Sequence, residues 1–386
     1  MPGFSRYNAG IDDLFSRRKR SALIVSDSPD PSLTLPLLPV YASPHHAGHA
    51  PPHEYMHGHL VPYFEMPSRI DHLREGLISA GFAQFIEPPP NMPMSALAAV
   101  HDAGWLSAFE ALSGNVKEIV RQALSIYHLE DRLDADPYYC ESSFPKRFYG
   151  TENRPHSYIY DSVSPIGRKT WDAAWHAANL AYAGAQALLD SQRQAYALCR
   201  PPGHHAGRDF AGGYCYLNNA AVAAVELLPL GRVVILDVDY HHGNGTQDIF
   251  WDDPRVNVVS LHAAPQQDYP YYAGFADEVG AHNQIHNIPL PHGTTEADYL
   301  TALTGALDHV SNLQSSALVV SLGFDTYVHD PIGQFGVDRP GYHTMGAQIA
   351  ALNLPTLYIQ EGGYRVDALG ALAQAFFAGV LNRSFL

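Results

Sequence analysis

LDVDYHHGNG, residues 236 to 245, follows without a break on Val233, Val234 and Ile235. The β-branched lead-in reads as a buried strand, yet two carboxylates and two histidines crowd its end. Unpaired charge beside buried apolar chain is costly, so a cation or shared protons must neutralise it. Side chains alternate along an extended chain, which puts Asp237, Asp239 and His241 on one face and Val238 and Tyr240 on the other. The bland alternative is a solvated strand end whose Asp and Asn cap the next helix. Against it stands the donor set itself, since Asp and His are ordinary Zn²⁺ ligands.

Similar apolar runs recur at residues 22–25, 195–199, 233–236, 256–261, 318–322 and 356–359, each closing in polar or glycine-containing sequence. Helical patterns lie between several of them, at 170–189, at 217–228, and at 296–310 behind a Thr294 or Thr295 cap. Strands apolar on both faces that alternate with helices predict an α/β fold, an open and mostly parallel sheet covered on both sides. Ligands in such sheets bind at the carboxyl ends of the strands. Residues 26–67, rich in Pro, Gly and His, break the rhythm and read as a loop insertion. Residues 134–165, with YYCESSFPKRFYG, read as a second long loop.

Three further strand ends carry chemistry. In ALVVSLGFDTYVHDP, Asp325 follows the run 318–322, with Gly323 allowing close backbone approach. Alone it would be a turn residue; beside Asp239 and His241 it is a natural third ligand. Asp₂His coordination is nearly neutral with Zn²⁺ and leaves open positions, the arrangement a catalytic zinc requires. In RPPGHHAG, the stiff turn and Gly203 aim His204 and His205 at one locus, as a general base and acid. Each imidazole needs an orienting partner on its far nitrogen, and Asp237 and Asn244 are candidates of unequal charge. In QEGGY, the Gly362-Gly363 turn can bring the Tyr364 hydroxyl to a developing oxyanion. Standing alone, such a tyrosine would be a packed turn aromatic.

Composition sets the surroundings. The chain has 386 residues, is 46% hydrophobic and carries a formal charge of −16; its mean hydropathy is −0.15. No stretch approaches the ~18 uninterrupted apolar residues of a membrane span, so no membrane role is expected. The acidity disfavours nucleic acid and favours cationic partners. The N-terminal segment lacks an apolar core of the secretory type. The three cysteines, Cys140, Cys199 and Cys215, form no CxxC pair. Both features predict a cytoplasmic protein in a reducing compartment. The tract Arg17-Arg18-Lys19-Arg20 reads as a solvated segment.

These motifs, together with GGYCYLNNAAVAA and the VVSLH behind LDVDYHHGNGTQDIF, resemble the histone deacetylase and acetylpolyamine amidohydrolase family in content and order over residues 200–364. LVPYFEMPSRIDHL and AVHDAGWL resemble it more loosely. The resemblance implies an arginase-like open sheet, one deacetylase domain over 1–386, and a zinc-dependent amide hydrolase that releases acetate from an acetylated primary amine. It places zinc on Asp239, His241 and Asp325. It backs His204 with Asp237 and His205 with Asn244, and makes Tyr364 the carbonyl-polarising group. Many histone-directed members have Asp where this chain has Asn244, which is similar to the acetylpolyamine branch. The resemblance also implies K⁺ at the Asp237 carboxylate, the Ser260 hydroxyl and the carbonyls of Asp239, His241 and Leu261. Gly213, Tyr214 and Tyr269 would wall the acyl tunnel, with Gly362 also on the substrate side. By the same resemblance, the insertion at 26–67 would narrow the entrance or pack across a homodimer interface, with Glu54 as the acid that reaches substrate.

Other readings differ in what they require. A binuclear ureohydrolase needs further bridging aspartates, and a non-catalytic module that only binds acetyl-amines needs none of the proton-transfer groups. Acidity and Glu54 favour a small cationic acetylated amine over acetyl-lysine on protein, and longer acyl groups and Fe²⁺ in place of Zn²⁺ stay open. The run His45, His46, His49, His53, His57 and His59 suggests metal only by composition, and reads as solvent-facing loop.

Overall fold

The apolar run that leads into LDVDYHHGNG lies in the interior of a sheet and ends at Asp237. The computed structural model describes residues 37–56, 58–140 and 158–385. Among the described residues, ten strands run in chain order as β1 (Leu38–Tyr41), β2 (His53–Met56), β3 (His59–Pro62), β4 (Ala83–Ile86), β5 (Gln194–Ala197), β6 (Val233–Asp237), β7 (Val256–Ala263), β8 (Ile285–Leu290), β9 (Ala317–Leu322) and β10 (Thr356–Gln360). The helices are α1 (Ser68–Ala80), α2 (Met94–Ala98), α3 (Ala103–Ile126), α4 (Thr170–Leu189), α5 (Asn219–Glu226), α6 (Asn244–Phe250), α7 (Glu296–Asn312), α8 (Arg339–Ala350) and α9 (Val366–Val380).

Eight strands form one sheet in the order β4-β1-β5-β10-β9-β6-β7-β8, and every pairing is parallel. β2 and β3 form a separate antiparallel hairpin. Alternation splits β6 between two cores. Val233 and Ile235 pack with residues of α3, α4 and α5, whereas Val234 and Leu236 pack with residues of α1, α7, α8 and α9. Helices therefore cover both faces, which is what a parallel sheet requires.

The expected strands from 195 onward are β5, β6, β7, β9 and β10, and α4 keeps both expected bounds. Thr295 is the α7 cap, its side chain accepting from the Asp298 N–H. The expected strand at 22–25, the basic tract at 17–20 and His57 lie outside the described residues. The insertion at 26–67 needs correcting, because its described part contains β1, a sheet strand paired with β4 and β5, as well as the hairpin. Pro36 and Pro39 hid β1: its four residues, LPVY, are too few to show a period, yet all four are buried. No helix among the described residues is long and apolar enough to cross a membrane.

Candidate active site

The C-terminal ends of β5, β6, β9 and β10 converge on one locus, each contributing a charged or polar turn. β6 stops at Asp237, so Asp239 and His241 stand in the turn beyond it and not on the strand face that simple alternation predicts. Side chains template this turn. Asp237 Oδ1 accepts from the Asp239 N–H at 3.1 Å, and Asp239 Oδ1 accepts from the His241 N–H at 2.9 Å. From β9, Asp325 Oδ1 accepts from the Tyr240 N–H at 3.0 Å.

Asp239, His241 and Asp325 meet here, all buried, with one donor atom from each within 4.8 Å of the others. His241 Nδ1 lies 3.1 Å from Asp325 Oδ2 and 3.4 Å from Asp239 Oδ1. Two glycines make room for the carboxylates. A Cβ on Gly323 would fall 2.2 Å from Asp239 Oδ2, and one on Gly362 would fall 2.4 Å from Asp325 Oδ2. Burial and the neighbouring Asp239 push the Asp325 carboxyl well up. Two buried carboxylates facing one imidazole at this spacing suit a divalent cation, which would relieve both the desolvation and the like-charge repulsion.

The histidine pair stands against this trio. His204 Nδ1 lies 3.0 Å from Asp237 Oδ2 and His205 Nδ1 lies 2.7 Å from Asn244 Oδ1, with the two rings 4.0 Å apart. Burial opposes a charged His204, but the Asp239 and Asp237 carboxylates outweigh it and hold the imidazole up at about 10. Burial, with His204 and His241 alongside, holds His205 well below the usual histidine value. The carboxylates around His204 and the imidazoles beside His205 thus push the two rings in opposite directions. The Asn244 amide nitrogen donates to the Tyr272 hydroxyl at 2.7 Å and to the Tyr160 hydroxyl at 3.3 Å. Its oxygen therefore faces His205, which must carry its proton on Nδ1 and keep a lone pair on Nε2.

A cavity of about 480 Å³ opens above these groups, lined by His205, Gly213, Tyr214, His241, Tyr269 and Tyr364 among others. Gly213 has φ +55°, and a Cβ there would lie 2.2 Å from His205 Cδ2, so only glycine lets the tunnel wall approach that ring. Burial raises the Tyr364 hydroxyl well above the usual tyrosine value, so it remains a proton donor.

Two expected contacts are different. Gly362 is not among the cavity-lining residues; its N–H donates to Asp239 Oδ2 at 2.8 Å and so braces the carboxylate. Glu54 lies behind Tyr214, accepting from its hydroxyl at 3.1 Å, while its neighbours Tyr55 and Met56 reach the cavity. Strand alternation turns Glu54 inward while His53 and Tyr55 on either side of it are exposed. The acid on the cavity wall is instead Asp268, held by the Tyr240 hydroxyl at 2.6 Å and by His292 Nε2 at 3.0 Å.

The histone deacetylase domain model matches residues 63–380. The chain belongs to the histone deacetylase family. Like other members of that family it is a hydrolase acting on amide bonds. Acetylpolyamine amidohydrolase 1 of Pseudomonas aeruginosa is 41% identical over 347 residues, spanning 86% of this chain and 96% of that protein. Acetylpolyamine amidohydrolase of Mycoplana ramosa is 37% identical over 84% of this chain and 94% of its own length. The crystal structure of an acetylpolyamine aminohydrolase from Burkholderia pseudomallei superposes with a TM-score of 0.81 at 36% identity, covering 89% of this chain and 98% of that one.

Within this histone deacetylase fold, several supporting residues escaped the sequence reading. Asp161, in the second long loop, accepts from the Gly213 N–H at 2.5 Å and from the Tyr269 hydroxyl at 2.8 Å, fixing two parts of the cavity wall. Asp330 Oδ2 accepts from the Tyr364 N–H at 2.7 Å. Buried Arg69 donates to the carbonyls of Gly363 and Glu361, both at 2.6 Å, pairs with Glu65 at 2.6 Å, and lies 4.8 Å over the Tyr364 ring. HDP in GFDTYVHDP was the one available signal for Asp330; Arg69 and its partner Glu65 stand within LVPYFEMPSRIDHL, but the two carbonyls that Arg69 holds are nearly 300 residues away.

Proposed function

We propose that the protein is a zinc-dependent deacetylase of small cationic acetylated amines, acetylpolyamines above all, releasing acetate and the free amine. The observation that carries this is the buried Asp239–His241–Asp325 set lying beside a cavity whose lining also includes His205 and Tyr364. The names of the relatives support the polyamine class. Residues 37–385 would form one catalytic domain.

Asp239, His241 and Asp325 would hold the zinc, which when bound supplies Lewis-acid polarisation of the amide carbonyl and acidifies water. Tyr214 and Tyr269 would flank the methylene stem of the substrate. Of the two histidines, His205 is better placed as base, since it is neutral, its Nε2 is unprotonated, and it lines the cavity. It would take a proton from the attacking water and later return it to the leaving amine, with Asn244 holding the tautomer through both transfers. His204, hydrogen-bonded to Asp237, would add positive field when protonated. Tyr364 would donate a hydrogen bond to the carbonyl oxygen as negative charge develops there. K⁺ would sit where Asp237 and Ser260 pair across the β6–β7 ladder, with the carbonyls of Asp239, His241 and Leu261. A homodimer through the hairpin is supported by exposed Tyr55 and Leu60. The three cysteines, free in the structure, suit a cytoplasmic location.

The test is a turnover panel of acetylated diamines, an acetyl-lysine peptide and longer acyl groups, run before and after chelation. Acetate release from the acetylated diamines above all, lost on chelation and restored by Zn²⁺, is expected. Full activity of a verified metal-free sample would overturn the zinc assignment, and preference for the peptide would overturn the substrate class.

A further inference from the structure

The histidine-rich run contains a second cluster that the reaction does not use. Residues Pro44–Gly48 form a short 3₁₀ helix packed on α4. His45 Nδ1 lies 2.7 Å from Asp172 Oδ2, and His176 Nε2, one turn further along α4, lies 3.9 Å from Asp172 Oδ1. One donor atom from each residue falls within 4.8 Å of the others. The two rings stack with centroids 3.5 Å apart and planes 16° from parallel.

We infer that His45, Asp172 and His176 form a peripheral site for a first-row transition metal such as Zn²⁺, distinct from the buried trio. Two imidazoles and one carboxylate are a borderline donor set that selects Zn²⁺, Ni²⁺ or Cu²⁺ over Mg²⁺ or Ca²⁺. In a tetrahedral site with bonds of ~2.1 Å, donor atoms stand ~3.4 Å apart; the His45 side chain, 38% exposed, would have to swing out of its stack with His176 so that both lone pairs meet one ion. The carboxylate can balance one imidazolium, and 3.9 Å is too long for a hydrogen bond to the other ring. The His45 and Asp172 side chains are 38% and 39% exposed, so an ion could enter from solvent and complete its coordination with water.

A bound ion would clamp this 3₁₀ helix to α4. The same helix is held from beneath by Arg200, which donates to the His46 carbonyl, and it leads within a few residues to β2, whose Tyr55 and Met56 reach the cavity. The site would therefore fix the base of the segment that shapes the cavity mouth.

The experiment is metal stoichiometry on the full chain. Wild type, H45A, H176A and an H53A/H59A control are stripped, equilibrated with Zn²⁺ and counted by mass spectrometry, with affinities from calorimetry. Wild type and the control are expected to hold one more zinc per chain than H45A and H176A, or to bind that ion at least tenfold more tightly. Because the readout is a difference, it is independent of whether the buried trio holds zinc or supports catalysis. Equal stoichiometry and affinity in wild type and H176A, or loss caused by H53A/H59A alone, would overturn the site.

Discussion

Tyr364 sits in its turn by consent of two distant residues, Asp330 on its N–H and Arg69 over its ring. Replacement by Phe keeps that packing and deletes only the hydroxyl. An oxyanion donor removed from a buried site costs roughly 10²-fold or more in kcat, so Y364F should lose that much turnover with little change in substrate affinity; equal turnover would remove Tyr364 from the chemistry. Glu54 makes a second residue-scale case. Burial raises its carboxyl from the ordinary 4.5 to about 7, with the Tyr214 hydrogen bond opposing. A folded value above the unfolded one means that the folded state holds the proton more tightly. Its contribution to stability is then complete below 4.5 and is lost as pH rises through about 7. Glutamine stays neutral, so E54Q should gain stability over wild type across that window, by at most about 3 kcal/mol at 1.36 kcal/mol per unit. Denaturant melts across pH measure this, and a flat difference would mean that Glu54 is ionised throughout. The groups carrying chemistry were legible because their types are unusual at strand ends. Asp161 and Arg69 were not, because a buried supporting charge is defined by partners that only the fold supplies.

Elements were legible where a strand is long and apolar on both faces, as at Val233–Asp237 and Ala317–Leu322, or where a helix repeats its pattern over five turns, as at Thr170–Leu189. β1 and β4, four residues each, and β8, with Pro289 and two polar residues in IHNIPL, carry too little pattern to separate from loop. Helix packing was equally invisible, although it supports the site. α1 crosses α9 where Gly76 meets Gly370, and a Cβ on Gly76 would lie 2.4 Å from both the Gly370 Cα and its carbonyl oxygen. Neither backbone can yield as a flexible side chain would. G76A must therefore part the helices, at a typical overpacking cost of about 1–3 kcal/mol. Because α1 carries Arg69 and α9 follows directly on Tyr364, turnover should fall together with stability. An unchanged urea midpoint in G76A would show that the two helices do not meet there in solution.

At the scale of the whole molecule, charge and cavity point to the same substrate class. The chain carries −16, and Asp268 stands on the cavity wall. A cationic amine approaching this mouth meets a converging negative field, and steering of that kind raises association rates by 10-fold or more at low salt. The screening length falls from about 30 Å at 0.01 M salt to about 3 Å at 1 M. kcat/KM for a monoacetylated diamine should therefore drop roughly tenfold across that range. The chemical step is shielded within a buried site, so kcat itself should hold. A neutral acetylated amine of the same length has no charge to steer and should show a flat profile in both constants. If the two substrates respond to salt alike, selection rests on the shape of the aromatic tunnel and not on the acidity of the molecule. Charge reversal at Asp268 would then leave the preference for diamines intact, whereas under steering it would abolish most of the salt dependence.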